Sequence, residues 1–308
     1  MRRDAFFQFT AYARFTQVSH FVFVERLQES SLPQGNRRTI IMKNILSSLL
    51  SLSFLSLLPI MAEEEGFVPL FDGKTLNGWT SARVLAGEES AYSVDEEEKA
   101  IHVYAGCEAD SQQKTDCLNT EVEFSHYILK LEYKWLGPRF APRADWDRDA
   151  GLLFHVHGDL KKIWPLCLEM QIGESPGDKK GGKGNKGRFH SGDLFVLGRD
   201  LRVDTKRKDG YFHPEGEVKN GRSYPTNLGV EKPMGEWNEM EIQVHGSEKA
   251  VFIFNGEVVH EITNFTQKNK DGETVPLDTG RIGLQAEWAE LMYRNIRIKE
   301  LDPKAMAK

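Results

Sequence analysis

The stretch 166–174, LCLEMQIGE, alternates apolar and polar side chains. Its apolar members are Leu166, Leu168, Met170 and Ile172. A period of two places alternate residues on opposite faces of a β-strand. One face of this strand is therefore predicted to pack in a core, while Glu169 and Gln171 share the other face with Cys167. Whether that polar face meets water or lines a pocket depends on its neighbours.

Eight further segments carry a strand signal, and most of them alternate in the same way. They are residues 100–104, 126–136, 150–157, 193–198, 236–246, 250–256, 281–287 and 291–301. Such alternation is typical of antiparallel sheets with one covered face. Asn255-Gly256 suits a type I′ hairpin turn. With no long amphipathic helix evident after residue 62, we predict an all-β fold of two antiparallel sheets, a sandwich or a barrel.

The amino-terminal part of the chain has the pattern of a secretory signal peptide. Residues 42–62 read MKNILSSLLSLSFLSLLPIMA, with a basic start, a short apolar core and a small residue before three glutamates. We interpret 1–41 as the product of a misplaced start codon, with a long genuine leader as the alternative. The expected mature chain is one domain over 63–308, periplasmic or secreted, with no membrane span.

Charge and cysteine content narrow the partners and the compartment. The chain carries 40 basic and 46 acidic side chains, of which seven and three lie in 1–62, so the remainder has a net charge of −10. An acidic surface argues against nucleic acid as a partner. Cys107 and Cys117 flank a short polar loop, where a disulfide and two free thiols are both compatible with an oxidising compartment. Cys167 is expected to be a small, partly buried side chain.

His155 and His157 lie two residues apart in a predicted strand and should share a face. Two such histidines can chelate a divalent metal with a carboxylate from a neighbouring strand, so His155, His157 and Glu169 are candidate ligands. The alternative is a pair of solvent-facing histidines. No cofactor is required by any motif. The match of 177–184, GDKKGGKG, to a phosphate-binding loop is accidental, because Gly184 stands where Ser or Thr would hold magnesium.

If the strands are neighbours, one polar face collects the histidines with Glu169 and Gln171. The segment 281–290, RIGLQAEWAE, adds Gln285 and Glu287 with the same alternation. Amides and carboxylates bind hydroxyl groups, and indoles stack on sugar rings. We therefore predict a carbohydrate site whose substrate-binding residues are Gln171, His157, Gln285, Glu287, Trp164 and Trp146, with Trp288 nearby.

Segment 66–80, GFVPLFDGKTLNGWT, resembles the opening of the 3-keto-disaccharide hydrolase domain family. The similarity continues through LEYKW, AGLLFHVHG, LEMQIGE, GEWNEMEIQVHG, GRIGLQAE and YRNIRIKEL. The resemblance implies a concanavalin A-like jelly-roll sandwich that hydrolyses glycosides oxidised at C3. It also shows departures from the usual family pattern, with Asp149 in place of Asn, His155 in place of Arg, and Ala286-Glu287 in a segment that usually reads DH.

The implied chemistry begins with removal of the C2 proton, which the C3 ketone acidifies, followed by loss of the aglycone and addition of water. We expect Glu169 or His155 to be the base, with the other or a divalent cation stabilising the enolate. Hydrolysis by a Glu169–Glu287 pair is the enzymatic alternative. A non-catalytic, lectin-like sugar-binding module and a purely structural surface domain are the alternatives from other classes.

Overall fold

The computed structural model describes residues 64–174, 190–205, 222–223 and 229–306. Within these residues the larger sheet has ten strands, all paired antiparallel, in the order β10-β14-β13-β12-β6-β17-β4-β3, with β1 on β17 and β15 on β14. Its strands are β1 (Val68–Pro69), β3 (Tyr92–Asp95), β4 (Ala100–Val103), β6 (His126–Arg139), β10 (Arg202–Thr205), β12 (Asn238–His245), β13 (Lys249–Phe254), β14 (Glu257–Lys268), β15 (Thr274–Pro276) and β17 (Ala289–Glu300).

The second sheet has seven antiparallel strands in the order β11-β9-β8-β7-β16-β5-β2. They are β2 (Trp79–Ser81), β5 (Asp116–Thr120), β7 (Asp149–His157), β8 (Leu166–Gly173), β9 (Leu194–Leu197), β11 (Arg222–Ser223) and β16 (Arg281–Ala286). Two single-turn helices complete the described fold, α1 (Ala82–Leu85) and α2 (Pro303–Met306). No helix in the described part of the chain has the length and apolarity to cross a bilayer.

The core lies between the two sheets, as alternation along the strands predicts. In β6 every second side chain from Tyr127 to Trp135 is buried, and in β12 the buried series runs from Asn238 to Val244. From the smaller sheet, Leu152, Phe154 and Leu168 enter the same core. The predicted fold class, an all-β concanavalin A-like jelly-roll sandwich of two antiparallel sheets, is confirmed.

All nine strands predicted from the sequence are present, and β7 and β8 are neighbours. Asn255 and Gly256 both have positive φ, at 48° and 84°, and join β13 to β14 as the hairpin turn. The sequence analysis missed β5, whose residues DCLNT are buried on both faces. A strand covered on both sides does not alternate, so the period of two that identified the others is lost there.

Three tyrosine hydroxyls from the ten-stranded side fasten β16 to the rest of the sandwich. Tyr92 donates to the carbonyl of Leu284 at 2.5 Å, Tyr293 to that of Gln285 at 3.0 Å, and Tyr104 to that of Ala286 at 3.0 Å. After Ala286 the chain crosses from one sheet to the other within two residues, because β17 begins at Ala289. The strand that carries Gln285 and Glu287 is thus held at its end by the opposite sheet.

A β-bulge in β7 overturns the expectation that His155 and His157 share the polar face with Glu169. The pairing of β7 with β8 shifts between Phe154 and His157, and His155 has a φ of 51°. The His155 ring is buried against Phe154 and Phe265, and its Nε2 donates to the carbonyl of Gly246 at 3.0 Å. His155 is therefore a core residue, and the period of two fails where the bulge adds a residue.

Because His155 is buried, the stability of the folded protein should depend on pH in the acidic range. Desolvation lowers its pKa from 6.5 to about 4, although the Gly246 carbonyl and Asp278 act in the opposite direction and His157 and His126 add to the lowering. Because the unfolded chain binds this proton at higher pH than the folded chain, stability should fall as pH drops from about 6.5 to about 4. The loss should be about 3 kcal/mol.

Replacing His155 with Gln keeps a donor for Gly246 and removes the titrating group. Urea unfolding at intervals between pH 7 and pH 4 should show a shallower loss of stability for His155→Gln than for the unsubstituted protein. His157→Gln, at the half-buried end of the same strand, should retain the His155 contribution. Equal pH slopes for the unsubstituted protein and His155→Gln would show that this histidine is not buried in its neutral form.

Candidate functional site

Three adjacent strands place polar side chains on the face of the seven-stranded sheet that points away from the core. In the pairing of β7 with β8, Gly151 lies opposite Gln171 and Leu153 lies opposite Glu169. On the other side of β7, Asp149 forms a bridge with Glu287, just beyond β16. Directly paired residues point to the same face. The alternation seen in LCLEMQIGE thus places Glu169 and Gln171 on one face, as expected from the sequence, but without His155 and His157.

Gly151 supplies the space in which these groups meet. A Cβ atom at this position would lie 2.8 Å from the carboxyl carbon of Glu169 and would collide with the amide oxygen of Gln285. The two side chains therefore converge over the Gly151 backbone from strands on either side of it. Any larger residue at 151 would force them apart.

The centre of the site is a carboxylate cluster made of Asp149, Glu169 and Glu287. Each of the three is more than nine-tenths buried. The guanidinium of Arg143 contacts two of them through Nη1, at 3.1 Å from Asp149 Oδ2 and 3.2 Å from Glu287 Oε2. The carboxyl groups of Asp149 and Glu287 also lie within hydrogen-bonding reach of one another. This arrangement places three acids close together, and one cation contacts two of them.

Arg143 is held in place by aromatic rings and by an ordered loop. Its guanidinium carbon lies 4.6 Å from the Trp146 ring centre and 4.3 Å from that of Trp288. The backbone of Arg143 donates to the carbonyl of Phe140, and Phe140 in turn donates to that of Trp288. Such cation–π contacts add attraction and fix the plane of the guanidinium. Arg143 therefore has little freedom to leave the carboxylates.

Burial raises the pKa of Glu169 well above its ordinary value, and the negative charge of Glu287 adds to the effect. The nearby amide of Gln285 opposes this rise to a smaller extent. Gln285 is fully buried, and neither of its amide atoms completes a hydrogen bond of standard geometry within the described residues. The approach of Gln285 to Glu169 is thus a loose contact, and its hydrogen-bonding capacity is largely unused.

The pKa of Asp149 is likewise raised well above its ordinary value, first by burial and then by the charges of Glu287 and Glu169. Arg143 lowers it without cancelling the rise. Gln171 donates from Nε2 to Asp149 Oδ1 and, at 2.8 Å, to the carbonyl of Ala150. Like charges this close favour retention of one proton by the Asp149–Glu287 pair.

The three tryptophans occupy different positions around the cluster. Trp164 is 45 % exposed and donates from its indole nitrogen to Glu287 Oε1 at 2.6 Å. Trp146 and Trp288 are half-buried against Arg143, and Trp288 also donates to the carbonyl of Gln113 at 2.8 Å. Trp164 is therefore the indole with surface available at the edge of the site.

The candidate metal ligands are not brought together. His155 lies in the core, while His157 stands at the end of β7 with its Nδ1 bonded to the carbonyl of His155 at 2.8 Å. Among the described residues no group of three His, Cys, Asp or Glu side chains has metal-binding geometry. The proposed set of His155, His157 and Glu169 does not fit a divalent cation, and His157 is not placed beside Gln171.

All three cysteines are free thiols, so Cys107 and Cys117 are not bridged. Cys117 and Cys167 are buried with Leu153 and Val156 in a small apolar cluster beside the polar face. Burial raises the pKa of both thiols, which keeps them protonated and unreactive. They complete the packing of the sheet around the carboxylates.

The sequence analysis did not identify Arg143, Asp149 or Gly151 as site residues. Arg143 belongs to the loop between β6 and β7, whose length and mixture of arginine, tryptophan and aspartate were the available signal. Asp149 on β7 and Glu287, just after β16, form a bridge with one another. The loop 175–189, which includes 177–184, lies outside the described residues.

A family model for the 3-keto-alpha-glucoside-1,2-lyase-like domain matches residues 66–299. The chain belongs to this family. The match extends over β1 to β17 and includes every member of the carboxylate cluster. The resemblance noted in the sequence is thereby confirmed. A comparison with curated protein sequences finds no match for this member of the 3-keto-alpha-glucoside-1,2-lyase-like family.

Several solved structures are similar to this lyase-like domain at low sequence identity. A candidate glycosyl hydrolase from Parabacteroides distasonis is 17 % identical with a TM-score of 0.48, and the match covers 77 % of this chain and 95 % of that one. A second from the same organism is 21 % identical with a TM-score of 0.46, covering 76 % and 99 %. The carbohydrate-binding module CBM66 from Bacillus subtilis is 10 % identical with a TM-score of 0.42, covering 72 % and 96 %.

The convergence over Gly151 can be tested by adding one methyl group. Gly151→Ala should displace the Glu169 carboxyl and the Gln285 amide, whose free ends can move, and should lower stability by about 1–3 kcal/mol through overpacking. Thermal denaturation would measure the cost. Gly137→Ala, on β6 with no atom within 4 Å of the added carbon, is the matched control and should melt like the unsubstituted protein. Equal melting temperatures for both variants would contradict the contact over Gly151.

Proposed function

We propose that this protein is a carbohydrate-processing enzyme that cleaves the glycosidic bond of 3-keto-glycosides by elimination and subsequent addition of water. Family membership supports the carbohydrate class and the oxidised substrate. The observation that carries the proposal is the carboxylate cluster, in which three acids are buried together and one cation contacts two of them. Elimination next to a ketone needs both a base and an acid within one site, and such a cluster can hold both forms at once.

Glu169 is the proposed base. It would take the C2 proton while the electrons form the enolate of the C3 ketone. A base is most effective when its pKa lies near the working pH, and burial moves the Glu169 carboxyl in that direction. His155, the other base considered from the sequence, is enclosed in the core and is no longer a candidate. The base is therefore a carboxylate on β8.

The Asp149–Glu287 pair is the proposed acid. As the enolate collapses to an alkene between C1 and C2, the C1–oxygen bond breaks and the pair gives its proton to the departing aglycone. The pair then takes a proton from water as the hydroxyl adds to C1, and Glu169 returns its proton to C2. Proton and charge balance over the cycle, and no metal is part of these steps.

Gln285 and Trp164 are the proposed contacts for the sugar. The buried amide of Gln285 has two donors and an acceptor that complete no standard hydrogen bond with the described residues, which suits a sugar hydroxyl. Trp164 presents an exposed indole at the edge of the cluster and could stack on a pyranose ring. Gln171, by contrast, is committed to Asp149 and acts as a support for the acid pair.

Removing the base should separate catalysis from folding. Glu169→Gln should reduce turnover of 3-keto-trehalose or 3-keto-sucrose by about 10²–10⁴-fold, the usual effect of losing a general base. Sugar release measured by chromatography, with the unoxidised disaccharides alongside, would give the rate and the requirement for the ketone. Glu241→Gln, on β12 of the other sheet, is the control and should keep normal turnover.

Three outcomes of that assay have different meanings. Full activity of Glu169→Gln would remove Glu169 as the base. Equal cleavage of oxidised and unoxidised sugars would favour hydrolysis by a carboxylate pair over elimination. Binding without release of sugar would favour the lectin-like alternative.

We also infer that the protein is exported after removal of residues 1–62, on the basis of the signal-peptide pattern in 42–62. Amino-terminal sequencing of the protein from the periplasm or medium should begin near Glu63. Peptides from 1–41 in exported material would contradict both the interpretation of the start and the cleavage site.

A further inference from the structure

Arg143 has a role that the proton transfers themselves do not explain. Its Nη1 lies between the two carboxyl groups of the acid pair, at nearly equal distances from Asp149 and Glu287. Its side chain is only 23 % exposed, so solvent screens these contacts weakly. The guanidinium thus faces two acids that together carry one negative charge when they share one proton.

We propose that Arg143 is the positioning residue of the acid pair. It compensates the negative charge of Asp149 and Glu287 when the two share one proton. In this way it sets the pH range in which the pair keeps its proton while Glu169 is ionised. The inference rests on the proposed function for its catalytic consequence. Its electrostatic part depends on the contacts alone.

The geometry gives this charge a fixed location. The indoles of Trp146 and Trp288 both contact the guanidinium, and the carbonyl of Trp146 accepts a hydrogen bond from Arg139 at 2.6 Å. A guanidinium held in this way has little rotational freedom to lose when it bridges two carboxylates. Lysine could supply the charge but neither the planar stacking nor the fork of donors.

Other donors complete the pair without replacing Arg143. Gln171 donates to the Asp149 oxygen that Arg143 does not contact, and Trp164 does the same for Glu287. These neutral groups orient the carboxyls but contribute no net positive charge. Arg143 is therefore the contact whose loss changes the charge of the site.

Among the described residues, further titratable groups around the cluster include Asp116 and Cys117 from β5, Cys167 from β8, Asp193 beside β9, Tyr104 after β4 and Tyr293 from β17. The cation Arg83 acts on Tyr104. Burial raises the pKa of the two thiols and the two tyrosine hydroxyls, which keeps them uncharged at neutral pH. Loss of the Arg143 charge would therefore not be compensated by these groups.

Removing a cation disfavours the anions that it contacts, so the pair should hold its proton to higher pH. The limb of the pH–rate curve that is set by the pair should then move upwards in Arg143→Gln by about 1–3 pH units. Arg143→Lys should show little of this shift, because lysine keeps the positive charge.

Arg294→Gln is a matched control. Arg294 lies in β17 with its guanidinium 3.8 Å from the Trp237 ring centre and bonded to Glu132 at 2.7 Å, and it is 28 % exposed. It reproduces the stacked arginine–carboxylate arrangement on the other sheet, away from the cluster. Its pH–rate curve should match that of the unsubstituted protein.

The decisive experiment measures the pH dependence of kcat and kcat/KM on a 3-keto-disaccharide for the four proteins, with carboxyl ¹³C NMR titrations of the same proteins without substrate. Asp149→Asn and Glu287→Gln assign the resonances. The proposal is supported if, among the four proteins, Arg143→Gln alone shows an upward shift both in the pH–rate limb set by the pair and in the carboxyl titrations of Asp149 and Glu287. Unmoved carboxyl titrations, or lower activity at an unchanged pH profile, would overturn it.

Two further results are also informative. If the unsubstituted protein cleaves no 3-keto-glycoside but the titrations shift as expected, the proposed function fails and the electrostatic role of Arg143 remains. If Arg143→Gln does not fold, the triple variant Arg143→Gln/Asp149→Asn/Glu287→Gln removes both carboxylates that lost their cation and should fold. Failure of this triple variant to fold would show that Arg143 serves packing and not charge.

Discussion

The contact of one guanidinium with two buried carboxyl groups is the constraint on which the site depends. Ionised carboxylates are costly to bury without a partner, and three buried carboxyl groups lie on a single face of the seven-stranded sheet. Arg143 makes that concentration tolerable, and raised pKa values at Asp149 and Glu169 show that its compensation is incomplete. An incompletely compensated cluster retains protons to higher pH than isolated carboxyl groups do, which is a property that acid–base chemistry uses.

The sandwich supplies the rigidity that such a cluster requires. Tyrosine hydroxyls from the larger sheet bind three consecutive carbonyls of β16, immediately before Glu287. On the other side of β7, Gln171 links β8 to Asp149. Because each carboxylate sits on or beside a strand that is fixed to its neighbours, the distances between the acids are set by the sheet and not by a loop.

The polar face is deeply buried. Cys117, Cys167 and Leu153 belong to a small buried apolar cluster of the same sheet. Low exposure strengthens every charge interaction in the cluster, because water would otherwise screen it. Trp164, whose indole is bonded to Glu287, stays exposed at the edge of the cluster, and it is the proposed contact for a sugar.

Much of this protein could be predicted from alternation alone. A period of two has a direct physical cause in the pleat of a strand, so nine strands, the Asn255-Gly256 hairpin and the shared face of Glu169 and Gln171 followed from the sequence. Arg143 and Gly151 could not be recognised in this way. Arg143 lies in a loop without periodicity. Gly151 matters because the absence of a side chain leaves room for Glu169 and Gln285.

Tertiary structure also corrected what periodicity predicted for His155. The bulge after Phe154 turns this histidine into the core, and no local pattern in DAGLLFHVH indicates the extra residue. Alternation reports which residues share a face only while the hydrogen-bond register is regular. The sequence by itself determined the strands and their polar face, whereas the packing of the sheets decided which polar groups meet there, because charge pairing and close approach join residues far apart in the chain.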